Sequence, residues 1–123
     1  MDLNQVTVQS IDIGESISFY KDLGLTLIVQ SDDYARFECP NGNSTFSVHL
    51  VQELKPSNTV IYFEVKNLER DIQTLKSKGL KFTKELANES WLWSEARLLD
   101  PSENEVCIFK AGENRKNPPW RIA

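Results

Sequence analysis

Apolar and polar residues alternate at short range in several stretches and recur at helical spacing in two others, and this succession runs twice. Residues 3–8 alternate and predict a strand. Ile13, Ile17, Tyr20 and Leu23 then recur at steps of four, three and three, the helical period. Ser10 or Asp12 is placed to cap that helix, and Gly24 suits the left-handed position that ends it. Residues 25–30, 34–39 and 44–51 predict three more strands. Ser31-Asp32-Asp33 and the turn Pro40-Asn41-Gly42-Asn43 separate them. A polar linker, 55–58, follows, and the order restarts. Residues 60–65 predict a strand, and Leu68, Ile72, Leu75 and Gly79 keep helical spacing. Strands are predicted over 80–83, 91–99 and 105–109, with a turn at Asp100-Pro101-Ser102-Glu103-Asn104. The tail is polar until Pro118-Pro119-Trp120, and an aromatic ring of that size is expected to pack onto the body.

The second succession is a copy of the first. Residues 12–25 align without a gap on residues 67–80, at an offset of 55. Residues 35–43 echo residues 96–104. Each copy reads as strand, helix, three strands, and each is too small to bury a core alone. The expectation is one domain over 1–123, built from modules 1–54 and 58–110 with a tail at 111–123. Two packed modules share a surface, and a shared surface is where a small-molecule pocket forms.

Composition narrows the partners. Net charge is −4, with acidic and basic residues interspersed, which argues against nucleic acid or an anionic membrane surface. No apolar run reaches the roughly 20 residues that span a bilayer, and no basic-then-apolar leader opens the chain. Cys39 and Cys107 are the only cysteines, far apart and outside any CxxC spacing, so reduced thiols and a cytoplasmic setting are expected.

Val6-Thr7-Val8 followed by Asp12 to Leu25, with its Ser16-x-x-Phe19-Tyr20-x-x-Leu23-Gly24 core, resembles the vicinal oxygen chelate superfamily. That group takes in glyoxalase I, the extradiol dioxygenases and the bleomycin-resistance proteins. Tyr62 to Leu68 and the Asp100-Pro101-x-x-Asn104 turn extend the resemblance over nearly the whole chain. It implies an α+β fold of two tandem βαβββ modules, forming a curled mixed sheet with an open cavity. It also implies a homodimer. In metal-dependent members, one divalent ion sits in the cavity on ligands from the first and last strand of each module. Fold membership alone leaves the chemistry open, since the same scaffold serves isomerases, dioxygenases, thiol transferases and binders.

Carried onto this sequence, the resemblance places Gln5 and Val60 at the first-strand ligand positions, and His49 and Cys107 at the last-strand positions. Gln5 and His49 are ordinary ligand types. Val60 cannot ligate, and a Cys107 thiolate is soft where an oxygen-binding centre wants a carboxylate. No metal is therefore favoured; Gln5, His49 and Cys107 would hold Zn, Ni, Mn or Fe if one bound. Each residue also has a plainer reading. His49 would be a hydrogen-bonding wall residue or a general base, Cys107 a small buried apolar group, and Gln5 a polar cavity group. Trp91 and Trp93, two apart on a predicted strand, share a face and line either a ligand cavity or the core. Glu95 and Arg97 continue that face. Arg97 would clamp a ligand carboxylate or form a solvated ion pair, and Glu64 is a second candidate base. Three readings follow, in this order: a metal-free small-molecule binder, a metal-dependent lyase, isomerase or dioxygenase, and a metal-free enzyme with His49 as acid/base.

Overall fold

The computed structural model describes residues 1–122. The elements run β1 (Gln5–Ser10), α1 (Ile13–Leu23), β2 (Thr26–Gln30), β3 (Tyr34–Glu38) and β4 (Thr45–Leu50). They continue as β5 (Val60–Glu64), α2 (Leu68–Ser77), β6 (Phe82–Asn88), β7 (Ser94–Leu99), β8 (Glu105–Lys110) and α3 (Glu113–Lys116). The strands make two four-stranded mixed sheets of identical topology, β1-β4-β3-β2 and β5-β8-β7-β6. In each, the first strand pairs in parallel with the fourth and the other pairings are antiparallel. No helix among the described residues is long and apolar enough to cross a membrane.

The chain divides into two compact units. The first is Met1–Asn58 together with Asp100–Asn104. Its helix α1 starts where the Asp12 carboxylate accepts the Glu15 N–H at 3.0 Å, and it ends at Gly24, whose φ of 113° an L side chain resists. Its apolar stripe lies against β2, β3 and β4. Fully buried Tyr20 packs on Phe19, Phe37 and Phe46, with ring centroids 4.5–5.8 Å apart. The Tyr20 hydroxyl donates to Asp100 at 2.6 Å. Asp100 also accepts the backbone N–H groups of Ser102 and Asn104 and the Asn104 side-chain amide. Burial, first, and the Asp100 carboxylate, second, raise the phenol's proton affinity far above the ordinary tyrosine range.

The second unit is Thr59–Leu99 with Glu105–Ala123. Asn67 caps α2 by accepting the Arg70 N–H at 3.2 Å. Leu68, Ile72 and Leu75 turn its stripe onto β7 and β8, whose Ala96, Leu98, Val106 and Ile108 are buried. Successive strand residues alternate faces, so Glu95, Arg97, Cys107 and Phe109 lie on the sheet's other side.

Three expectations are corrected. The strand predicted over 91–99 begins only at Ser94, and Trp91 to Trp93 form a loop that the Glu89 N–H closes on the Trp93 carbonyl at 2.7 Å. Exposed Leu92 turns this loop at φ 66°, which no regular strand permits. The strand predicted over 80–83 runs instead from Phe82 to Asn88; it is an edge strand, so its polar Thr83-Lys84-Glu85 is tolerated and masks the alternation. Trp120 is 56% exposed, so its ring is not enclosed against the body. The Arg121 guanidinium bonds the Lys116 carbonyl and Asn117, so the tail is held by its own polar groups.

Candidate functional site

The helix-free face of the second sheet gathers an unusual polar cluster. The pairing register sets Tyr62 beside Cys107, Arg97 beside Cys107, Glu95 beside Phe109, and Val60 beside Glu105. The Arg97 guanidinium is the hub. Its Nε donates to Glu95 Oε2 at 2.7 Å, one terminal nitrogen to Glu105 at 3.3 Å, and the other to the Tyr62 hydroxyl at 3.2 Å. It also lies 5.8 Å from the centre of the Tyr62 ring. These carboxylates raise its already high proton affinity further, the Glu95 hydrogen bond first.

Glu95 is 1% exposed, rare for a carboxylate. Its Oε2 accepts both from Arg97 and from the Cys107 thiol, the latter at 3.5 Å. Its Oε1 is buried and has no hydrogen-bond partner among the described residues. A buried acceptor left bare costs about 1–3 kcal/mol, and more when it is charged. Cys107 is fully buried. Burial, and then the adjacent Glu95 charge, push its thiol up to about 12. It therefore stays protonated at neutral pH.

An aromatic wall flanks this cluster. Trp93 stacks on Phe109 at 4.7 Å and 22°, and Tyr62 meets both rings edge-on, at 6.0 and 5.6 Å. Phe109 is itself buried: with Cys107 and Ala111 it forms a small hydrophobic core cluster, and Val60 and Trp93 pack against it, so Trp93 lies on the core side of the alternative raised by its sequence position. The Trp93 indole donates to the Asn114 carbonyl at 3.2 Å, which fixes the ring.

Of the residues singled out by sequence, Val60, Trp93, Arg97 and Cys107 come together here. Trp91 does not; it lies exposed in the loop before β7. Glu64, a candidate base, is occupied otherwise: its Oε2 accepts the Ala111 and Gly112 N–H groups at 2.7 and 2.9 Å, and Arg115 stands 3.7 Å from Oε1. It anchors the chain leaving β8. Arg97 is neither a free clamp nor a solvated pair, since its main partner is buried. Glu95 was visible in sequence as a carboxylate two residues before Arg97 on the Trp93 face. Tyr62, Glu105 and Phe109 carried no signal beyond strand alternation.

The proposed equivalence of His49 and Cys107 is also corrected. In the first sheet Gln5 pairs with Thr45, Thr7 with Ser47, and Gln9 with His49. In the second, Val60 pairs with Glu105, Tyr62 with Cys107, and Glu64 with Phe109. The first-unit counterpart of Cys107 is thus Ser47, and that of His49 is Phe109. The reason is the turn before the last strand, which is one residue longer in the first unit (39–44 against 100–104). Gln5 and His49 consequently stand four residues apart in register, about 13 Å along the strands. Gln5 accepts from the Thr45 hydroxyl at 2.8 Å, and His49 is exposed. On the helix-free face of this unit, Arg36 Nε donates to the Tyr34 hydroxyl at 2.9 Å, and Thr7 and Ser47 share a 2.6 Å hydrogen bond. The Ser47 hydroxyl, and then Arg36, lower the proton affinity of the Tyr34 phenol.

The donor set does not fit a divalent ion. Gln5 and His49 are far apart in register, Val60 is a hydrocarbon, and Cys107 holds its proton against Glu95. No group of three His, Cys, Asp or Glu among the described residues is placed to hold a metal.

Twin βαβββ units, each a four-stranded mixed sheet with one long helix on one face, define a fold of the glyoxalase type. Residues 2–108 match the Glyoxalase/Bleomycin resistance protein/Dioxygenase superfamily, and the chain belongs to it. Among solved structures it resembles the bleomycin resistance determinant encoded on the transposon Tn5, with a TM-score of 0.76 and 17% identity over 89% of this chain and 98% of that one. It also resembles a bleomycin-binding protein complexed with bleomycin (TM-score 0.73, 17% identity, 89% and 98% covered). A lactoylglutathione lyase from Agrobacterium tumefaciens is similar too (TM-score 0.74, 12% identity, 98% and 97% covered). At these identities the likeness is one of fold. No curated protein sequence matches the chain.

Proposed function

We propose that this protein binds a small molecule against the helix-free face of the second sheet, and does so without a catalytic metal ion. The observation that carries the reading is the meeting of two rings that keep exposed surface, Tyr62 and Trp93, with the partly exposed Arg97 guanidinium on a face that no helix covers. Apolar walls with a few convergent polar groups are the usual make-up of ligand sites. The solved complex of a superfamily protein with bleomycin supports binding as a use of this fold. What speaks for a metal-free site is the chemistry of the donors: a protonated thiol, a valine, and a glutamine and a histidine far apart in register.

The cluster is built to hold rather than to turn over. Glu95 is locked by Arg97, Cys107 lacks thiolate character, and the exposed His49 belongs to the other sheet. A screen of fragments of mixed charge against uniformly 15N-labelled protein tests this, together with metal analysis after purification. Expected are shifts clustered on Tyr62, Trp93, Arg97 and Phe109, and far less than one equivalent of metal. A screen that leaves this face unperturbed would remove the binding site, and a stoichiometric ion lost in His49→Ala would remove the metal-free reading.

A further inference from the structure

We infer that Arg36 and Tyr34, on the helix-free face of the first sheet, form a docking point for the carboxylate of a small molecule whose apolar body lies along Val29. The inference concerns the first unit and is independent of the reading above. Arg36 is half-buried and held in place. Its Nε donates to the Tyr34 hydroxyl at 2.9 Å, and its guanidinium carbon lies 5.4 Å from the centre of the Tyr34 ring. Among the described residues its two terminal nitrogens have no hydrogen bond and no ion pair. Glu38, two residues on in β3, forms none with it. Arg97, at the same place in the second repeat, engages its fork with Glu95, Glu105 and Tyr62. Arg36 thus offers a positioned and uncompensated cationic fork. Both Arg36 and Tyr34 keep exposed surface, and Thr7 and His49 beside them are exposed, so the fork is open to solvent.

A planar fork of N–H donors matches a carboxylate through two parallel bonds, and fixing the fork beforehand lowers the cost of binding. A third donor stands beside it. The Tyr34 oxygen accepts from Arg36, while its own proton has no acceptor among the described residues. The Ser47 hydroxyl, and then Arg36, lower the phenol's proton affinity, which makes it a stronger donor. Charge selects among the oxyanions. Arg36 is the only lysine or arginine in the four strands of this sheet, so one negative charge is balanced and a second is not. The body has a place as well. Val29 stands opposite Arg36 in register and is 39% exposed, next to exposed Ile28 where the pairing of β2 shifts. An edge strand usually turns polar or charged side chains outward, so this apolar surface beside the fork calls for an occupant.

Four probes of similar shape and different charge test the class: benzoate, benzamide, benzamidine and phenylphosphonate. Each is titrated into the full chain at neutral pH and fixed ionic strength, and followed by amide shifts and the 15N shift of Arg36 Nε. Expected is benzoate binding tighter than benzamide by about tenfold, the size of one charge-assisted hydrogen bond, with benzamidine weakest. Shifts should gather on Val29, Tyr34 and Arg36. In Arg36→Met the preference for benzoate should shrink to about twofold or less. The ranking on the unmodified protein needs no variant, so a poorly folding Arg36→Met leaves the test intact. Benzamide or benzamidine binding as tightly as benzoate would overturn the inference, as would a preference that survives in a folded Arg36→Met. So would phenylphosphonate binding more tightly than benzoate, which would make this a site for dianions, or shifts that avoid Val29, Tyr34 and Arg36. None of these outcomes touches the reading for the second sheet, which rests on shifts at Tyr62, Trp93 and Arg97.

Discussion

Arg36 and Arg97 hold the same place in the two repeats, on the third strand beside Ser47 and Cys107 respectively. One guanidinium rests on the Tyr34 phenol, 5.4 Å from the ring centre, while the other grips a buried carboxylate. The fourth-strand neighbours diverge as well: Ser47 shares a hydrogen bond with Thr7, whereas Cys107 gives its proton to Glu95. The scaffold explains why only one face has diverged. The face under each helix must stay apolar at alternate positions to bury that helix, which fixes residues such as Ala35, Phe37, Ala96 and Leu98. The opposite face answers to no helix, and there the first unit keeps hydroxyls while the second has concentrated charge and aromatic surface.

The sharpest way to break this comparison is to remove the two arginines. Arg97→Met leaves a buried carboxylate without its counter-charge and is expected to cost about 3 kcal/mol in urea denaturation. Arg36→Met releases only a partly exposed phenol and is expected to cost about 1 kcal/mol or less. Equal losses would mean that the Glu95 pair is solvated and the faces are energetically alike.

Tyr20→Phe comes next. Its second-repeat counterpart, Leu75, has a hydrocarbon side chain, so the Asp100 contact belongs to the first unit alone. Losing a hydrogen bond to a buried carboxylate is expected to lower stability by about 2 kcal/mol at pH 7. The pH dependence has a definite sign. The folded-state phenol holds its proton above the ordinary value, so this contribution is full below that value and is lost as the solution becomes more alkaline. Tyr20→Phe should therefore unfold less steeply above pH 10 than the parent protein. An unchanged alkaline transition would exclude Tyr20 as its source.

The smallest expected effect concerns the thiols and is read by Ellman's reagent rather than by stability. Cys39 is partly exposed, although burial raises its thiol somewhat. It should react in native protein at pH 8, whereas buried Cys107, pushed up to about 12, should react only on unfolding. Cys107 reacting as fast as Cys39 would contradict its protonated, enclosed state.

Much of the fold was legible in the chain. Asp12 and Gly24 mark the ends of α1, because caps act through bonds to near neighbours in sequence. The gapless 55-residue offset located α2 for the same reason. Legibility failed where tertiary context decides. An edge strand tolerates polar residues, so β6 was cut short. The one-residue difference in the turns shifted the last-strand register and misaligned His49 with Cys107. Burial of Glu95 could not be read at all, since a Glu-x-Arg pair on a strand looks the same whether solvent covers it or not.

The turn Asp100–Asn104 lies in the second repeat by sequence and in the first unit by structure. Besides the Tyr20 bond, Ser102 accepts the Ile11 N–H and the Asn104 amide donates to the Gln9 carbonyl. An ancestral duplication readable in the chain is thus no longer divisible by cutting it. A break at the 55–58 linker would yield a leading fragment whose Tyr20 hydroxyl, Ile11 N–H and Gln9 carbonyl have lost their partners. The trailing fragment would keep the bonds within its Asp100–Asn104 turn, but Asp100 would lack the Tyr20 hydroxyl, and Ser102 and Asn104 would lack Ile11 and Gln9. The halves recovered this way are not the ancestor, and they regain a full set of partners only when mixed.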